Sequence, residues 1–78
     1  MVTVGTVVKS MAGKDQGRYC VVVRLEGQRV YVADGKWRKL SNPKAKNPKH
    51  LQATCHKVAL TPQLTNKQLK KALTMLQK

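Results

Sequence analysis

The chain has 78 residues, and its sixteen Lys and Arg stand against only three acids, Asp15, Glu26 and Asp34, for a net charge of +13. That length gives one domain near the lower limit for a core without staples, which leaves room for a compact barrel and little else. Most of the cations have no intramolecular carboxylate to pair with, so the compensating charge must come from outside; nucleic acid is the favoured polyanion and an anionic membrane surface the next.

Residues 1–9 lack a basic segment followed by a long apolar run, and no apolar stretch approaches a membrane span, so the expected compartment is the cytoplasm. β-branched residues dominate the first 33 positions in short runs separated by turn signals, the pattern of an all-β barrel or sandwich. The first run, 2–10, ends in Ala12-Gly13-Lys14-Asp15-Gln16-Gly17, a polar loop whose glycines can take positive φ and bring backbone close to a ligand. The second, 18–26, sets Tyr19, Val21, Val23 and Leu25 on one face and Cys20 and Val22 on the other, so both faces are partly buried, as a small barrel requires. A tight turn at Glu26-Gly27-Gln28 leads into a strand at 29–33. Asp34-Gly35 is a type I′ hairpin signal and predicts a further strand at 36–40.

Asn-Pro-Lys occurs at 42–44 and again at 47–49, a triplet that cannot be helix and makes a poor strand; residues 41–50 are therefore read as a basic loop. The last strand is predicted at 51–58. Cys20 and Cys55 each lie inside a strand-like run and are expected as reduced, partly buried thiols, with a disulfide the less favoured alternative. Thr65 and Gln68 have capping-box spacing and Leu64 and Leu69 the spacing of a hydrophobic staple, which predicts a helix over 65–77. Leu69, Ala72, Leu73 and Leu76 form an apolar stripe opposite Lys67, Lys70, Lys71 and Lys78. A helix this short is unstable alone in water, so the stripe must pack on the barrel or on a partner. The expected fold is mainly β: a five-stranded SH3-like barrel over residues 1–60, followed by an amphipathic helix over 61–78.

Two stretches carry functional chemistry. In the first, Lys9 and Ser10 lead into a loop in which Gly13 and Gly17 allow close approach of backbone while Lys14 and Arg18 supply charge, the usual division of labour in phosphate recognition. Its plainer alternative is a polar hairpin loop of any β-domain. The second, 36–50, holds Lys36, Arg38, Lys39, Lys44, Lys46, Lys49 and His50 with Trp37 among them and no acid. Charge runs are often only solvated faces, but without acids to offset them binding is favoured. Trp37 either stacks on an exposed base or fills the core, the commoner place for a lone Trp, whereas Tyr19 and Tyr31 are read as packing residues. Cys20, His50, Cys55 and His56 lack metal-ligand spacing, and no acid, base or nucleophile constellation exists, so neither a metal, a cofactor nor an enzyme is expected.

Gly5-Thr6-Val7-Val8-Lys9-Ser10, then Gly13-Lys14-Asp15-Gln16-Gly17-Arg18 and Val21-Val22-Val23, resemble the KOW motif of ribosomal proteins and NusG-type elongation factors. Cys20 stands where many KOW domains have a second glycine, yet Gly17-Arg18-Tyr19-Cys20-Val21-Val22-Val23 is similar to the family of the fourteenth large-subunit ribosomal protein of archaea and eukaryotes and its small bacterial relatives. Residues 33–40 and 49–51 extend the likeness, which covers about 3–54 and leaves the C-terminal helix outside. The resemblance implies binding of structured RNA, ribosomal RNA of the large subunit first, by a ribosomal or ribosome-associated protein that is a monomer when free. Ribosomal proteins reached through the helix are a further implied partner. One rival is a KOW protein-interaction module of a transcription or translation complex, with the Leu69–Leu76 stripe as its contact; another is a general DNA-coating protein.

Overall fold

The computed structural model describes residues 2–13 and 16–76. Five strands, β1 (Thr6–Ser10), β2 (Tyr19–Glu26), β3 (Arg29–Ala33), β4 (Lys44–Lys46) and β5 (Leu51–Lys57), form one antiparallel sheet in the order β4-β3-β2-β1-β5, and a helix, α1 (Asn66–Leu76), follows. A meander whose last strand returns through a 3-10 turn (Pro48–His50) to pair with the first is compatible with the SH3-like class. The sheet is nevertheless open, not closed as expected for a barrel. β4 has only three residues between Pro43 and Pro48, neither of which can donate to a ladder, so it cannot extend toward β5.

Alternation in β2 divides the core in two. Val7, Val21 and Ala33 face α1 and pack with Leu69 and Leu73, while Val8, Cys20, Val22, Val30 and Val32 form a second cluster on the other face, edged by Val2 and Leu51. The helix stripe is thus spent inside the molecule. Full burial of each leucine contributes about 1.5–3 kcal/mol, enough to hold a helix too short to persist alone. Its start follows the predicted box: Gln68 N donates to Thr65 Oγ1 at 3.2 Å and Thr65 N to Gln68 Oε1 at 3.2 Å.

Local chemistry moves several elements from where the sequence pattern puts them. β1 begins at Thr6 instead of residue 2, because Thr6 N donates to Thr3 O and the two hydroxyls meet, closing a turn ahead of the strand. Within it a bulge shifts the β1–β5 register between Thr6 and Val8, and the Thr54 hydroxyl satisfies Val7 O at 2.7 Å. In β2 a bulge between Val22 and Arg24 sets Leu25 opposite Val30, on the face of the second cluster and not with Tyr19, Val21 and Val23 as alternation alone predicts. Residues 36–40 are not a strand, and Lys44–Lys46, expected as loop, is one. Cys20 is buried, but Cys55 is exposed because the edge strand β5 has little covering it; neither is in a disulfide.

Candidate nucleic-acid interface

The loop between β1 and β2 is pinned at its neck. Ser10 N donates to Arg18 O at 2.9 Å and Gly17 N to Ser10 O at 2.7 Å, so Ser10 itself is fully buried, its hydroxyl donating to Ala12 O at 3.2 Å. Ser10 therefore shapes the loop and offers no surface to a ligand, contrary to its expected place among the contacts. Gly13 (φ +79°) and Gly17 (φ +86°) adopt the left-handed conformation with open space where a side chain would be, as a loop that presents backbone requires. Lys14, expected to contact phosphate from this loop, lies outside the described residues, as does Asp15. Arg18 leaves the neck exposed and carries its guanidinium to 4.9 Å from the ring centroid of Trp37.

Trp37 sits on a loop made rigid by backbone bonds. One oxygen of Asp34 accepts from Lys36 N at 2.9 Å and Arg38 N at 2.8 Å, while Asp34 N and Gly35 N both donate to Arg38 O. This capture of the chain by Asp34 replaces the two-residue hairpin and explains why no strand forms at 36–40. Gly35 is buried at φ +81°, where any Cβ would collide with the Asn66 carbonyl of α1, and Leu40 N donates to Asn66 Oδ1 at 2.7 Å. The loop is thereby clamped to the helix at both ends. Between the clamps Trp37 stands 57 % exposed, so it is not the core residue that a lone Trp commonly is.

Lys36 Nζ lies 5.2 Å from the same ring, giving Trp37 two cations within cation–π range. Beside them a pocket of about 320 Å³ opens between the loop and the helix, lined by Arg18, Tyr19, Lys36, Trp37, Lys70 and Leu73. Lys9 adds its ammonium 5.9 Å from the Tyr19 ring, with which it is paired across β1 and β2. Asp34 borders the pocket with one carboxylate oxygen occupied by the two backbone donors. Arg38 is half-buried with Nε unbonded, and Lys39 turns back to the Gly35 carbonyl at 3.3 Å.

The rest of the predicted basic segment belongs to another place. Lys46 and Lys49, with Gln28, Arg29 and Asn47, line a broader concavity of about 880 Å³ along the β4 edge and the 3-10 turn. The turn is set by Asn47, whose side chain accepts from Lys49 N at 2.9 Å, and His50 ends it exposed. Lys44 is exposed on β4. Residues 36–50 are thus two surfaces rather than one continuous footprint, and the two cavities have no lining residue in common.

Sequence reasoning missed Tyr19, Lys70 and Arg29 as parts of these surfaces. Tyr19 and Lys70 become neighbours of Trp37 only when α1 docks, and Arg29 joins Lys46 only through the β3–β4 pairing, so no local spacing announces either. Arg24 and Glu26 form an ion pair at 3.4 Å that is well exposed and contributes little. No group of three or more metal-ligating side chains occurs among the described residues, and no helix there is long and apolar enough to cross a membrane. Neither a protein-family model nor a curated protein matches the chain.

Proposed function

We propose that this chain is a non-enzymatic, cytoplasmic RNA-binding protein of KOW type that binds structured RNA, ribosomal RNA of the large subunit foremost, as a component or associate of the ribosome. The observation that carries the reading is an exposed Trp37 flanked by the Arg18 and Lys36 cations on a chain of net charge +13. Arg18, Lys9 and Lys36 supply charge beside a loop whose glycines leave the backbone bare, and Lys44, Lys46 and Lys49 extend the electrostatic reach from the β4 edge. Readout of paired RNA is by shape, phosphate and 2′-hydroxyl, with little sequence preference. The helix stripe named for the protein-interaction alternative packs at Leu69 and Leu73 against the chain's own sheet, which favours the RNA-binding reading.

Salt titration of binding to a structured ribosomal RNA fragment tests the proposal. Neutralising roughly five to eight phosphates gives a slope of log K against log salt of about −4 to −7. The RNA should also compete better than duplex DNA of equal length. A slope near zero, or equal competition by DNA at every salt concentration, rejects the proposal.

A further inference from the structure

We infer that the pocket between residues 34–40 and α1 receives one unpaired nucleotide of the bound RNA, its base on Trp37 and its phosphate on Arg18, Lys36 and Lys70. The inference rests on the RNA-binding reading above and names the feature of RNA that this part of the surface selects.

An aromatic ring can serve as a stacking platform only if it is exposed and fixed. Trp37 is exposed, and its loop is held by Asp34, by the buried Gly35 pressed on the helix backbone and by the Leu40–Asn66 bond, so little ordering remains to be done when a base arrives. A base inside a duplex has both faces covered by its neighbours and cannot reach such a ring, whereas an unpaired base can swing onto it. The 320 Å³ of the pocket lies at the small end of ligand sites, which suits one nucleotide and not a run of them. Its wall also has the composition a nucleotide needs. Trp37 and Tyr19 offer aromatic surface, Leu73 closes the floor as a buried apolar side chain, and Arg18, Lys36 and Lys70 place cations on the rim for the anionic phosphate. Thr74, whose hydroxyl donates to Lys70 O at 2.8 Å, keeps an oxygen lone pair available toward a base edge.

Trp37 is the sole tryptophan of the chain, so its fluorescence reports directly on this site. The 78-residue chain is titrated with two RNA hairpins of equal length and charge that share one compact loop whose bases stack on each other, one with a fully paired stem and one with a single unpaired position in its stem. The unpaired hairpin should bind about 5- to 150-fold tighter, the range that corresponds to one aromatic–base stack, and it alone should quench the tryptophan emission. Trp37→Ala should erase the preference, weakening the unpaired complex more than the paired one, and Trp37→Phe should restore part of it. Lys70→Ala should weaken the unpaired complex more than Lys67→Ala, a change on the same helix outside the pocket. Equal affinity for the two hairpins, or a preference that survives Trp37→Ala, overturns the inference and leaves the RNA-binding reading in place if both complexes keep their steep salt dependence. No binding to either hairpin overturns both.

Discussion

The two basic surfaces differ in how their side chains are held. Around Trp37 the chain is fixed by hydrogen bonds from side chain to backbone, by a buried glycine and by the helix, and two cations are within reach of an aromatic ring. Along β4 and the 3-10 turn the lysines stand on a three-residue edge strand between prolines, and no aromatic ring joins the cavity they line. The first surface has shape and can discriminate, and the second has charge and can attract. In RNA recognition these are separate contributions: phosphate contacts give affinity with a steep salt dependence, and stacking gives preference with almost none. A basic stretch in a sequence conflates the two.

The largest effect on this contrast should come from below the tryptophan surface. Leu73 is buried and lies under the pocket, so Leu73→Ala should cost about 2–5 kcal/mol in thermal or chemical unfolding, a large part of the stability of a small domain. Under mildly destabilising conditions the Trp37 emission should change before the β-sheet signal in circular dichroism does, because α1 carries the pocket wall and the sheet does not depend on it for pairing.

A smaller effect separates two glycines with similar backbone angles. Gly35→Ala should cost about 2–3 kcal/mol, since left-handed strain is joined by collision with the Asn66 carbonyl. Gly13→Ala, at nearly the same φ but with open space around it, should cost only about 1–2 kcal/mol. Equal losses in denaturant titrations would mean that the clamp between the Trp37 loop and the helix adds nothing to the backbone term.

The smallest effect on stability, within about ±0.5 kcal/mol per replacement, is expected for changing Lys44, Lys46 and Lys49 together to Gln. The salt slope for RNA should nevertheless become shallower by about 2 to 3, with the discrimination between paired and unpaired hairpins unchanged. If the triple replacement alters that discrimination instead, the two surfaces are not independent.

Much of the fold is legible in the sequence where one residue's local preference and its tertiary environment agree. The β-branched runs mark β1 to β3, the alternation expected for β2 holds from Tyr19 through Val23, and Thr65 with Gln68 marks the helix start to within one residue. The failures occur where they disagree. Lys44-Ala45-Lys46 has no strand propensity of its own and becomes β4 because the free edge of β3 offers it Val30, Tyr31 and Val32 as partners. Asp34-Gly35 carries a genuine hairpin signal, but the Asp34 carboxylate captures two backbone donors and folds the next residues into a compact loop. For the candidate site the charges are visible in the sequence and their grouping is not. For Trp37 the sequence leaves both stacking and core open, and the loop that bears it exposed is set against the helix by Gly35 and Asn66, residues 31 positions apart.

An open sheet has two rims of backbone donors and acceptors, and such rims invite a neighbouring molecule to add its own strand. One rim here is β4, short and bearing Lys44 and Lys46. The other, β5, is seven residues long, mostly exposed and ends at His56 and Lys57 without an acid. Laying two β4 rims together therefore brings lysine against lysine, on molecules that already repel one another through a net charge of +13. The excess of cations that draws a polyanion also keeps unliganded copies apart, and this protection is weakest in concentrated salt, where the repulsion is screened and the rims remain.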